Sequence, residues 1–230
     1  MVEDSGDAGA SIPLDVIAFG VLDTMFSTAS LGPLLTAAGG DAATLGLWLA
    51  RVMADGFALA AAGDYRSLRE VAKASLHEIL PHATAAARER VLAHLSALEP
   101  YADAAPAMGR AVLGARVIVV TNVGRDLTRK LLAHAKLDTF VDTIVSASDM
   151  RSWKPRPDIY AAAATSVGEP AGRVALVTSH PWDVHGAHRA GLITVWCNRR
   201  GDPYPATFTA PDLTAVNLLD AVEALFGPPI

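Results

Sequence analysis

Residues 116–136, RVIVVTNVGRDLTRKLLAHAK, set an unbroken apolar and β-branched run directly before a segment of helical length. From Val117 to Val120 no polar residue alternates with the apolar ones, so a strand there is buried on both faces, as inside a parallel sheet. The turn after Thr121 leads into a helix predicted over 124–136.

Working outward, comparable runs stand at 15–21 (DVIAFGV), 143–146 (TIVS), 173–178 (RVALVT) and 192–197 (LITVWC), with helix-length segments at 157–167 and 182–190. That alternation predicts an α/β fold, a doubly wound and Rossmann-like parallel sheet. Residues 29–99 break the rhythm. Segments 42–63, 65–80 and 84–98 place apolar residues at spacings of three and four, and Gly39-Gly40, Gly63-Asp64 and Pro81 punctuate them. The expected organisation is a core of 13–28 and 100–230, a helical cap inserted over 29–99, and a disordered terminus over 1–12.

The totals agree with one core and one elaboration in 230 residues. Hydrophobic residues at 51%, charged residues at 19% and a mean hydropathy of +0.30 exclude a disordered chain. A net charge of -5 and a pI near 5.8 argue against a nucleic-acid partner, which selects for clustered Lys and Arg. Charges such as Arg51, Asp55 and Arg116 interrupt every apolar run before the roughly 18 residues a membrane span needs, so no membrane partner is expected. Residues 1–12 (MVEDSGDAGASI) lack the basic start and apolar stretch of a signal peptide, which predicts a cytoplasmic protein. The lone cysteine, Cys197, reads as a buried strand thiol.

In an open parallel sheet the ligand crevice lies beyond the carboxyl ends of the strands. Candidate chemistry therefore falls at Gly20–Ser27, Thr121–Gly124, Ser146–Lys154 and Thr178–Asp183. These four strand ends resemble, in order, the four signature loops of the haloacid dehalogenase superfamily, and in particular its 2-haloacid dehalogenase branch. VVTN (119–122) is similar to the second loop, SWKPRPDIY (152–160) to the third and VTSHPWDVHGAHRAG (177–191) to the fourth. The first loop departs: the family reads phenylalanine, aspartate, two residues, glycine, threonine, whereas this chain reads Phe19-Gly20-Val21-Leu22-Asp23-Thr24. The resemblance implies that the aspartate which attacks the substrate is replaced by Gly20, which has no atom to offer in its place. A carboxylate nucleophile works by forming and breaking an ester, so its loss removes that route.

The resemblance further places Lys154 as the pocket lysine paired with Asp183, with Thr121, Asn122, Ser179 and Trp182 around the substrate. For each, a plainer reading stands alongside: a surface lysine, a helix N-terminal acid, caps and loop residues. Asp23 reads as a relocated nucleophile, an acid/base group or a loop carboxylate holding backbone N–H groups. His180 reads as a proton shuttle near Lys154 and Asp183 or as a solvent-facing residue. Magnesium wants several oxygen ligands, and Gly20 and Leu22 leave only Asp183, so neither metal nor other cofactor is expected. The branch's cap arginine is replaced by Leu49, with Arg51 about 200° away around a helix. Trp48, Phe57 and Tyr65 are candidates to line a more apolar pocket. A homodimer through the cap is implied by the resemblance. Two classes of function follow: a small-molecule enzyme using Asp23, Lys154, His180 and Asp183 as acid/base groups (lyase, isomerase or cyclase), or a non-catalytic binder of a ligand or partner. Hydrolysis of a 2-haloacid is what the resemblance alone implies.

Overall fold

A computed structural model describes residues 14–227, so the expectation for residues 1–12 lies outside the described residues. Six strands, β1 (Val16–Phe19), β2 (Arg116–Thr121), β3 (Thr143–Ser146), β4 (Val174–Thr178), β5 (Ile193–Cys197) and β6 (Leu213–Ala215), form one parallel sheet in the order β3-β2-β1-β4-β5-β6. This is the doubly wound α/β core that the apolar runs predict.

All four residues of β1 are buried, because helices cover both faces of the sheet. The pleat divides the strands between two cores. Ile17, Phe19, Val117, Val119, Ala175 and Val177 enter one, whereas Val16, Ala18, Ile118, Val120, Val174 and Leu176 enter the other. The register pairs Phe19 with both Val119 and Val177, so β1, β2 and β4 deliver Gly20, Thr121 and Thr178 to one edge. The winding direction reverses between β1 and β4, where a doubly wound sheet opens a crevice.

Five α-helices separate β1 from β2: α1 (Leu31–Ala37), α2 (Thr44–Ala61), α3 (Leu68–Ile79), α4 (Ala85–His94) and α5 (Ala104–Ala111). Ser67 and Glu70 close the start of α3 with a reciprocal capping box. The remaining helices are α6 (Arg125–His134), α7 (Ala147–Met150), α8 (Pro157–Val167), α9 (Pro181–Arg189) and α10 (Leu218–Phe226). Pro157 opens α8 and Gly168, in the left-handed region, ends it.

One helix departs from the expectation that charges cut every apolar run short of a membrane span. Helix α2 has 18 residues and a mean hydropathy of 1.3, which match a membrane span by length and composition. Its Arg51 and Asp55 pair with each other at 2.9 Å. Its buried stripe, Thr44, Trp48, Val52, Gly56 and Ala60, follows the four-residue spacing of a helix packed on one side.

Candidate active site

The first loop begins as β1 ends. Gly20 donates its N–H to the Val177 carbonyl at 3.0 Å, keeping β1 and β4 in register for one more residue. A Cβ at this position would stand 3.0 Å from Thr24 Oγ1 and 3.3 Å from Thr178 Oγ1, so the two hydroxyls close around the glycine. Asp23 adopts φ +53, a left-handed conformation that aspartate tolerates better than most residues. Its Oδ1 accepts from Thr28 N at 3.1 Å and from Thr28 Oγ1 at 2.7 Å, tying the loop together. Thr24 Oγ1 accepts from Ser179 N at 3.1 Å and joins the first loop to the fourth.

Lys154 and Asp183 form the electrostatic centre. Their side chains meet at 2.6 Å and are 4% and 0% exposed. Lys154 Nζ also donates to the Val120 carbonyl at 2.9 Å, and the Tyr160 hydroxyl donates to the other Asp183 oxygen at 2.6 Å. Both carboxylate oxygens are thus engaged, which a buried charge requires. Burial, with Asp183 alongside, holds the Tyr160 hydroxyl well above its ordinary pKa, so it stays a proton donor. Asn122 supports the lysine through the backbone: its Oδ1 accepts from Lys154 N at 2.7 Å and its Nδ2 donates to the Lys154 carbonyl at 3.3 Å. Thr121 Oγ1 accepts from Val123 N at 2.9 Å, leaving its own proton to donate.

His180 stacks on Trp182, with ring centroids 5.1 Å apart and planes inclined by 18°. Its Nε2 lies 3.1 Å from the Leu22 carbonyl. A carbonyl oxygen only accepts, so this contact assigns the proton to Nε2 and leaves the lone pair on Nδ1. Burial pushes the imidazole pKa down from 6.5; Asp183 and Asp23 oppose the shift and Lys154 adds to it. A neutral imidazole at neutral pH, with a basic nitrogen, is the outcome.

These groups surround a cavity of about 60 Å³ lined by Gly20, Leu22, Asp23, Thr121, Asn122, Lys154, His180, Trp182 and Asp183, and roofed by Leu49, Met53 and Leu68 of α2 and α3. Two expected site residues stand elsewhere. Trp48 is fully buried in the stripe of α2 that packs on α3, and its indole donates to the Ala72 carbonyl at 3.0 Å. One residue on a helix turns the side chain by 100°, which gives the cavity wall to Leu49 and Met53 instead. Ser179 lines a neighbouring cavity of about 320 Å³, which shares Asp23 and His180 with the first. Of the other aromatic candidates, Phe57 meets the edge of Trp182 at 5.1 Å and Tyr65 lies under the Arg151 guanidinium, so neither lines the small cavity. Arg51 reaches Glu78 at 2.8 Å and takes no part in it. Cys197 is buried in β5, and that burial raises its thiol pKa.

The donor set does not fit magnesium. Gly20 and Leu22 supply no side-chain oxygen, Asp183 is occupied by Lys154 and Tyr160, and among the described residues no group of three His, Cys, Asp or Glu residues converges. The sequence marks Tyr160 only as part of the third-loop pattern; its partnership with Asp183 depends on α8 and α9 packing together, which periodicity does not give. Met53 and Leu68 carry no local signal of their own.

The family model described as "haloacid dehalogenase-like hydrolase" matches residues 18–191. The chain is 32% identical over 141 residues to (S)-2-haloacid dehalogenase 4A of Burkholderia cepacia, covering 61% of each protein. It is 24% identical over 196 residues to (S)-2-haloacid dehalogenase H-109 of Pseudomonas putida, covering 82% of this chain and 88% of that one. The matched stretch thus spans about six-tenths of the Burkholderia relative's length. In fold, the chain superimposes on the L-2-haloacid dehalogenase of Xanthobacter autotrophicus with chloropropionic acid covalently bound, at a TM-score of 0.87 and 20% identity, covering 93% of this chain and 99% of that one.

Proposed function

Since this chain belongs to the haloacid dehalogenase-like hydrolase family, we propose that it is a small-molecule enzyme on that scaffold which works by acid–base chemistry at His180, without an ester on a first-loop carboxylate. One observation carries the reading: at the tip of β1 stands Gly20, and the two carboxylates on the cavity wall serve other contacts, Asp23 through Oδ1 to Thr28 and Asp183 through both oxygens to Lys154 and Tyr160. Asp183 has both oxygens engaged, and Asp23, held through Oδ1 in a left-handed turn, stands three residues beyond the position from which a first-loop nucleophile attacks.

The chemistry this favours is removal of a proton beside a carbonyl or carboxylate. His180 Nδ1 takes the proton. The negative charge that develops on the substrate oxygen is met by the third N–H of Lys154, two of whose donors are engaged, and by the Thr121 hydroxyl. Isomerisation, elimination or ring closure then follows according to the substrate. The apolar roof of Leu49, Met53 and Leu68 selects a small, largely apolar molecule. A homodimer through the cap belongs to the same proposal; Leu47, 59% exposed on α2, supports it.

A second reading is hydrolysis of a 2-haloacid with Asp23 as nucleophile, supported by the names of the relatives and by Asp23's place on the cavity wall. Incubating small carbonyl compounds and carboxylic acids with the protein in D2O separates the two. The proposal expects deuterium to enter a substrate C–H bond with the wild type and not with His180→Gln. Halide release from a 2-haloacid without deuterium uptake from any compound would decide for the second.

A further inference from the structure

The segment 151–156 is held from two sides. On the core side, Asn122 grips both backbone polar groups of Lys154, and Nζ is fixed by Val120 and Asp183. On the other side, the residues flanking Lys154 reach to the corner between α2 and α3. Trp153 is fully buried and its indole N–H donates to the Arg66 carbonyl at 2.8 Å. Arg156 Nη1 donates to the Ala60 carbonyl at 3.3 Å, and the Arg151 guanidinium lies 5.5 Å from the Tyr65 ring centroid.

Helix α2 approaches this segment closely at Gly56. A Cβ there would fall 2.4 Å from both Cε3 and Cζ3 of the Trp153 ring, a distance no real contact survives. Glycine weakens a helix interior, so helix formation gives no reason for it. Close passage of the indole does. Packed interiors resist deformation, and movement of α2 must therefore move Trp153, which is one peptide bond from Lys154.

We infer that Trp153 is a positioning residue that couples the seating of α2 and α3 to the placement of Lys154. The lysine keeps its burial and its two acceptors only while α2 lies against the indole. Misplacement by about 1 Å is enough to weaken such a site by on the order of 100-fold, so the coupling bears directly on whatever the lysine does. It is independent of which reaction the site performs.

Acylation by acetic anhydride, read by peptide mass spectrometry, tests this in the intact protein. Lys154, 3% exposed, is compared with exposed Lys130 on α6 as the internal reference. Gly56→Ala forces the ring aside; Trp153→Phe keeps an aromatic ring and loses the bond to Arg66. Val222→Ala, in α10 where the helix packs with α5, β5 and β6, is the control for general destabilisation. The Lys154/Lys130 ratio is expected to rise about tenfold in Gly56→Ala and severalfold in Trp153→Phe, and to stay within about twofold of wild type in Val222→Ala. An unchanged ratio in the folded variants overturns the inference, as does an equal rise in Val222→Ala at a matched loss of thermal stability. Should Gly56→Ala not fold, Trp153→Phe decides alone.

Discussion

Replacing Lys154 by methionine leaves the Asp183 carboxylate, 0% exposed, with Tyr160 as its one remaining side-chain partner. Breaking a buried pair in this way costs about 3–5 kcal/mol, because the charge left behind keeps its desolvation penalty and loses its counter-ion. For a chain of 150–250 residues each kcal/mol lowers the melting midpoint by roughly 2–4 °C. Lys154→Met should therefore melt roughly 6–20 °C below wild type. Asp183→Leu strands the ammonium in the same way and carries a similar cost. Combining the two removes both charges and leaves chiefly the Tyr160 hydroxyl without its acceptor, a loss of about 1–3 kcal/mol. Additive behaviour predicts about 6–10 kcal/mol for the double variant, whereas the pair as described predicts that it is more stable than either single variant. Urea unfolding at neutral pH, followed by far-UV circular dichroism, measures all four corners of the cycle. A double variant as unstable as the sum of the singles would refute the coupling.

Further expectations follow from the first loop and from His180. Burial keeps His180 below 6.5, so in mild acid the unfolded chain binds a proton that the folded chain does not. Its contribution to stability is therefore complete above pH 6.5 and is lost as pH falls through the folded value, and His180→Gln should flatten that part of a stability–pH curve. Gly20→Asp meets Thr24 Oγ1 at 3.0 Å from the new Cβ and should cost about 1–3 kcal/mol by overpacking. In a halide-release assay it should not establish full turnover, since Leu49 still replaces the cap arginine that the family resemblance implies. Asp23→Ala loses both bonds to Thr28 while keeping a Cβ at φ +53, and should destabilise by about 2–3 kcal/mol in thermal melts. Asp23→Gly, free of the backbone strain, should cost about 1 kcal/mol less.

Much of the fold is legible in short runs of sequence because the sheet is buried on both faces, and a strand with two dry faces must be apolar throughout. RVIVVT and RVALVT give β2 and β4 to within one residue. β6 is different: LTA is three residues long with only Ala215 buried, and its pairing with β5 depends on the tertiary fold. Within α2 the helical spacing is plain, but the phase is not. Trp48 and Leu49 are equally apolar, and only the position of α3 decides that the first packs against a helix and the second roofs the cavity. The Lys154–Asp183 pair is legible through the motifs around it. Tyr160 and Trp153 act through contacts with α9 and α2 that the local sequence does not encode. Gly56 shows the same limit. Its conformation is ordinary helix, and the reason for it lies in an indole 97 residues away in the chain.

The most direct measurement is mass spectrometry of the protein after incubation with excess (S)-2-chloropropionate in H2(18)O. Absence of any substrate-derived mass on the intact chain, and of 18O in every peptide that carries an aspartate, is the predicted result. An 18O-labelled carboxylate in the peptide containing Asp23, accompanied by chloride in solution, would contradict it.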